Sequence, residues 1–187
     1  DLKAAIETGT APTVKLTAEI ELTENLTISR SVTLDLNDHV LTLTGDKRFI
    51  TVTGQNTTLT LTDSAETKTA RQFIIGENSD KTVTGGVITG GKTGVDDYGV
   101  PAVDSGVCIK ERGTLTVIDV TLNAPVKIDR RGTIAGNGTF NGTVTNEDKI
   151  TGGTFYGPVA NYMGGDRVAN EISGGIFYGT VANGLNY

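Results

Sequence analysis

The chain has 187 residues and a mass of 19.5 kDa, enough for one domain. Apolar residues make up 36%, below the about 45–50% usual in globular proteins, while charged residues at 20% are too few for a disordered chain. A net charge of -6 argues against a nucleic-acid partner, and without a run of about 18 apolar residues nothing in the sequence spans a membrane as a helix. With 25 Gly, no Trp and about 30 Thr, the composition reads as all-β rather than as a helical bundle, Thr on outward strand positions and Gly at tight corners. The single cysteine, Cys108, has no partner for a disulfide. The chain begins at Asp1 rather than Met and reads as a processed or trimmed piece of a longer product.

Residues 1–9 carry the one helical pattern: Leu2, Ala5 and Ile6 fall on one face and Gly9 is a stop signal. A helix this short needs something to cover, and the end of a β-structure is the natural candidate. Period-two runs follow to the far end of the chain, each of three to five residues. They fall at 14–16, 20–22, 26–28, 32–36, 41–43, 50–52, 59–61, 82–84, 115–117, 120–122 and 126–128. Asn, Asp, Gly and Ser separate them, as turns require.

Such runs suit either an antiparallel sandwich or a parallel β-helix, and an internal repeat decides between them. Gly138-Thr139-Phe140-Asn141-Gly142-Thr143-Val144-Thr145-Asn146 returns as Gly153-Thr154-Phe155-Tyr156-Gly157-Pro158-Val159-Ala160-Asn161. It returns again as Gly175-Ile176-Phe177-Tyr178-Gly179-Thr180-Val181-Ala182-Asn183. A period near 20 residues with short strands is one turn of a parallel solenoid, which predicts roughly eight turns for this chain. The repeat predicts that Phe, Gly and Val share an inward face, and that the closing Asn is a left-handed corner residue stacked on its equivalents. The four prolines, Pro12, Pro101, Pro125 and Pro158, belong at corners or coil ends, because a proline inside a rung loses a ladder hydrogen bond.

The segment Val32-Thr33-Leu34-Asp35-Leu36-Asn37-Asp38-His39-Val40-Leu41-Thr42-Leu43 resembles the L-D-L-N-G-H-T-L motif of right-handed parallel β-helix domains of the pectate-lyase-like type. Residues 1–28 and the Ile150-Thr151-Gly152-Gly153-Thr154-Phe155 run resemble, more narrowly, secreted or surface proteins of anaerobic, often gut-dwelling bacteria. The resemblance is strongest over residues 1–62. It implies a single right-handed parallel β-helix with a short N-terminal capping helix. Asp38 stands where the pattern has Gly, and residues 65–110 match poorly.

Candidate functional residues follow from position. Residues 85–106 read as one protruding Gly-rich loop, in which Asp96, Asp97 and Asp104 offer hard oxygen ligands for calcium and Tyr98 a face for a sugar. Tyr156 and Tyr178 each follow an inward Phe, so they point outward at one repeat position and stack about one rung apart. Thr-x-Thr pairs such as Thr60/Thr62 and Thr114/Thr116 come at uneven intervals, so they build no single flat array and serve as outward β-branched residues. Cys108 reads as a buried inert thiol, and the lone His39 makes no metal site. The N-T-D, G-H-D and R-I-K patterns of the pectin-degrading relatives do not occur in this sequence.

Together these readings predict an extracellular or cell-surface module without catalysis: a structural stalk, adhesin or glycan-contacting domain that meets a polysaccharide or host glycan. For the last coil, whose C-terminal residues supply no evident cover, they leave two outcomes: the chain continues in the full product, or this end makes end-to-end contact with a partner. The alternative is a polysaccharide lyase or glycoside hydrolase with its site in residues 85–106, for which converging carboxylates would be needed.

Overall fold

Runs in which Leu, Ile or Val alternates with Thr become short strands in the computed structural model, which describes residues 1–46, 49–75, 79–95, 101–129, 131–162 and 170–185. The helix α1 (Leu2–Glu7) comes first. The Asp1 carboxylate accepts the Lys3 N–H at 2.9 Å, and the Gly9 N–H closes the last turn on the Ala4 carbonyl at 2.9 Å. Leu2 and Ile6 are buried within the main apolar cluster. Arg30 donates to the carbonyls of Ala5, Ile6 and Ala11, tying the helix to the strands that follow.

Those strands are laid down in triplets. The first circuit is β1 (Thr13–Lys15), β2 (Ile20–Leu22) and β3 (Leu26–Ile28), and the second is β4 (Val32–Asp35), β5 (Val40–Leu43) and β6 (Phe49–Thr53). The third opens with β7 (Thr58–Thr62) and leaves for an antiparallel hairpin of β8 (Ala70–Ile75) and β9 (Ser79–Thr84). It resumes in β10 (Val87–Gly90), leaves again along β11 (Lys92–Val95), and returns in β12 (Pro101–Lys110). The fourth is β13 (Thr114–Val117), β14 (Thr121–Asn123) and β15 (Val126–Ile128), and the fifth is β16 (Thr133–Gly136), β17 (Thr139–Phe140) and β18 (Val144–Asn146). The sixth is β19 (Lys149–Ile150), β20 (Thr154–Phe155) and β21 (Val159–Tyr162). The seventh is β22 (Glu171–Ile172), β23 (Ile176–Phe177) and β24 (Val181–Leu185).

Each strand pairs in parallel with its equivalent one circuit on. The first sheet therefore runs β1-β4-β7-β13-β16-β19-β22, the second β2-β5-β10-β14-β17-β20-β23, and the third β3-β6-β12-β15-β18-β21-β24. A chain that visits three parallel sheets in rotation is all-β and consistent with a parallel β-helix. Among the described residues the circuits number seven rather than the roughly eight expected, because the third, from Thr58 to Lys110, spends much of its length on two hairpins.

Register stacks like on like. Val32, Leu59, Leu115, Ile134, Ile150 and Ile172 form an inward column of the first sheet. Leu41, Ile88, Leu122, Phe140, Phe155 and Phe177 form that of the second, where the phenylalanine rings stack with centroids 4.7 Å apart. Leu26, Ile50, Val107, Val126, Val144, Val159 and Val181 form that of the third. Every residue of these columns up to the sixth circuit is buried, so the core is narrow but continuous.

Four expectations change. The Phe-Gly-Val face is not one strand: Phe140 ends β17 and Val144 begins β18, so the chain turns a corner at Gly142 and both large residues still point inward. The closing asparagines are not left-handed corners. Asn146, Asn161 and Asn183 sit in strands of the third sheet, continue the column of Ile28, Val52, Ile109 and Ile128, and pass a side-chain hydrogen bond down the stack at 2.8 and 3.0 Å. Left-handed backbone occurs instead at Asn37, Asp38, Asn56, Glu111, Arg112, Asp119 and Arg131. Residues 82–84 pair with β8 in the hairpin rather than in a rung. The described residues among 85–106 are largely strand. Val87–Gly90 is a rung of the second sheet, and Lys92–Val95 pairs antiparallel with the first half of β12.

Pro12, Pro125 and Pro158 immediately precede strands and Pro101 opens β12, as ladder geometry demands. No helix among the described residues is long and apolar enough to cross a membrane.

Candidate functional site on the second sheet

The outer face of the second sheet is where the two hairpins and the repeat meet. One outward column is Val40, Val87, Thr121, Thr139, Thr154 and Ile176. The residues that follow Leu122, Phe140, Phe155 and Phe177 form the other: Asn123, Asn141, Tyr156 and Tyr178. Val87 faces outward yet is fully buried, and Val83 of β9 is buried too, because the β8–β9 hairpin lies over this part of the sheet.

Carboxylates at the corner between the first and second sheets hold that hairpin in place. The buried Asp63 accepts the N–H groups of Asp38 (2.9 Å), Ala65 (3.1 Å) and Gly86 (2.8 Å), and Lys68 Nζ stands 3.6 Å from its Oδ2. Asp38 accepts the N–H of Thr69 at 2.8 Å, its hydroxyl at 2.5 Å and Arg71 at 3.0 Å. Arg71 also donates to the carbonyls of Asp38 and of Gly85, and Glu19 lies 3.4 Å from it. Burial pushes the Asp38 carboxyl up, but the Thr69 hydroxyl, the Thr69 N–H and the Arg71 guanidinium outweigh it and bring it down to about 2.

Between hairpin and sheet lies a cleft of about 450 Å³. Lys68, Thr82, Val83 and Thr84 wall one side; Thr121, Thr139, Asn141 and Tyr156 form the floor, with Asp119 and Asn137 at the near corner. Those two corner residues hold each other: Asp119 N–H donates to the Asn137 side-chain oxygen at 3.2 Å, and the Asn137 amide donates to the Asp119 carboxylate at 3.3 Å. Tyr156 extends the floor toward the seventh circuit, its ring stacked on that of Tyr178 with centroids 4.7 Å apart and planes 8° from parallel. Tyr178 is 67% exposed, so the outer ring face is open to solvent. A second cleft of about 480 Å³ lies at the other end of the same strands, lined by Thr89, Thr93, Asn123, Pro125, Thr143 and Pro158 among others. Asn141 lines both.

Of the residues singled out from sequence, Tyr156 and Tyr178 stand together as expected. Asp104 is exposed on the β11–β12 hairpin, in a bulge between the pairs Lys92–Ser105 and Thr93–Val103, and does not line the first cleft. Asp96, Asp97 and Tyr98 lie outside the described residues. Among the described residues no group of three or more His, Cys, Asp and Glu is placed to hold a metal ion. Cys108, expected to be buried, is half-buried because it takes an outward position on the third sheet between Thr51 and Lys127. Burial and then Asp129 push its thiol up, away from the reactive thiolate. The threonines distribute over all three sheets, for example Thr58, Thr114 and Thr133 on the first and Thr121, Thr139 and Thr154 on the second, rather than on one face.

Sequence reasoning passed over Asn137, Asn141, Lys68 and the threonines of β9. The signal for Asn141 was present in the repeat, where it takes the position of Tyr156 and Tyr178. Lys68 and β9 reach the cleft through the corner carboxylates, which no local pattern announces. No family model matches this chain, and no curated protein or solved structure does either.

Proposed function

We propose that the chain is a right-handed parallel β-helix of the pectate-lyase-like type, with α1 covering its first circuit. On this reading it works outside the bacterial cell as a non-catalytic, glycan-contacting module of a surface or secreted protein. The observation that carries the reading is the lining of the first cleft: hydroxyls, amides, one carboxylate and the Lys68 ammonium arranged around an aromatic ring that continues into a second, exposed one. A sugar presents an apolar ring face and a rim of hydroxyls, each of which donates and accepts. Tyr156 and Tyr178 suit the face; Asn137, Asn141, Thr121 and Thr139 suit the rim. A concave site with a few fixed polar groups is the usual form of a small-ligand site. The seventh circuit, with Ile176, Tyr178 and Val181 exposed, offers the surface for end-to-end contact.

A glycan array probed with folded protein, followed by titration of the hits, tests this. Binding is expected, and Tyr156→Ala is expected to weaken it by about tenfold or more, as loss of an aromatic anchor does. An array with no binding removes the glycan assignment. Release of reducing ends or unsaturated products from a bound polysaccharide replaces the module with a hydrolase or lyase.

A further inference from the structure

We infer that the glycan is an extended, uncharged oligosaccharide that crosses Asn141 and fills both clefts at once; this rests on the glycan reading above. Asn141 is 4% exposed, and both its side-chain nitrogen and its side-chain oxygen are buried without a hydrogen-bond partner. Burying an unpaired amide is costly; the Asn170 oxygen and the Ser105 and Thr145 hydroxyls are also buried without a partner, but only at Asn141 are both amide atoms so placed among the described residues. Asn123, one circuit earlier in the same column, donates to the Thr89 hydroxyl at 3.1 Å. Asn146 and Asn161 hand their amides down the third sheet. The next two circuits place tyrosine at the position of Asn141, so the stack does not need an amide there.

What the amide offers is one donor group and one acceptor at the point shared by two clefts. Rotation about its terminal torsion, which is soft, turns either atom toward either side. A chain of hydroxylated rings passing over it supplies both complements. The strand β14 (Thr121–Asn123) runs between the two clefts, with Asp119 in the lining of one and Pro125 in that of the other, so a ligand that fills both spans the whole strand. The second cleft is lined by hydroxyls, amides, glycines and the rings of Pro125 and Pro158, with no charged side chain in its described lining. In the first cleft the two charged side chains are already engaged, Lys68 with Asp63 and Asp119 with Asn137, so the combined lining selects a neutral chain.

The test is calorimetric titration with the cello-, xylo- and manno-oligosaccharide series, from disaccharide to hexasaccharide. For at least one series the affinity is expected to rise by about tenfold between the disaccharide and the longer members and then to level off. Thr143→Arg puts a long side chain into the second cleft and is expected to bring the hexasaccharide affinity down to that of the disaccharide. Thr93→Arg, from the exposed hairpin, serves the same purpose if the first variant does not fold. Asn141→Leu keeps the volume and removes both polar atoms; its melting temperature is expected to equal or exceed that of the parent while binding of every length falls.

Affinity independent of length, or unchanged by both arginine variants, overturns the two-cleft assignment and leaves the glycan reading standing. Retained binding with a lowered melting temperature in Asn141→Leu makes the amide structural and overturns it as well. Preference for oligogalacturonates over the neutral series overturns the neutral class. Failure of folded protein to bind any series removes the glycan reading itself.

Discussion

Asp38 takes φ 63° directly after Asn37 at φ 46°, a left-handed pair that Gly adopts freely and Asn or Asp tolerates best among the others. Its carboxylate then does what glycine could not, accepting Thr69 and Arg71 and so fastening the β8–β9 hairpin over the second sheet. A carboxyl held at about 2 in the folded chain, against an ordinary value near 3.8, stabilises the fold above the ordinary value. That stabilisation is lost as the pH falls from about 4 through about 2. Asp35 is shifted in the same direction: burial raises it, but the Ser64 hydroxyl and N–H, the Asn37 N–H and Lys15 outweigh burial. Asp38→Asn is therefore expected to cost about 1–2 kcal/mol near neutral pH and to flatten the loss of stability below about pH 4, as read by urea denaturation across that range. The departure from glycine at position 38 was plain in the sequence. Its reason was not, because the groups it meets, Thr69 and Arg71, lie far along the chain.

Among the elements, the corner between β17 and β18 shows how tightly the circuits approach. A side chain at Gly157 would place its Cβ 2.3 Å from the Gly142 carbonyl oxygen and 2.6 Å from that of Asn141, both backbone atoms that cannot swing away. Gly179 stands in the same relation to Gly157, at 2.2 Å. Gly157→Ala is expected to destabilise by about 1–3 kcal/mol, the range for forced overpacking, measured as a shift in the urea midpoint at unchanged slope. The Phe-x-Gly-x-Val spacing invited a single strand with three inward residues. The structure instead puts a corner at the glycine, since two strands of two or three residues cannot be told from one of five when both keep their large residues inward. The hairpins were the less legible elements. Residues 70–75 and 79–84 pair with each other rather than in a rung, so neither carries the repeat that marks the rest.

For the molecule as a whole, the described strands leave parallel edges on both sides of the sheets. β1 is outermost in its sheet and packs against α1, whereas β22, β23 and β24 are outermost at the other end. There Ile176 is 56% exposed, and Val181 is 37% exposed where its equivalents Val144 and Val159 are buried. Exposed strand edges with apolar residues favour association. Sedimentation velocity is expected to show concentration-dependent self-association, weakened in Ile176→Lys; a protein that stays monomeric at all concentrations would remove end-to-end contact.

Read from residues alone, period-two alternation and the repeat around Phe140, Phe155 and Phe177 determined an all-β chain of stacked circuits and marked most of the core, while Ile88, Val107, Ile109 and Ile134 lay outside the runs. Both signals are local: a strand's inward face and a circuit's length are written within about twenty residues. The clefts were decided only by tertiary structure. Their walls come from residues 68, 82–84 and 93, their floor from 119–143 and their aromatic margin from 156 and 178, and no span of sequence places these together. What joins them is register, which stacks Asn141 beneath Tyr156, and the Asp38 and Asp63 hydrogen bonds, which fold a distant hairpin over the same strands.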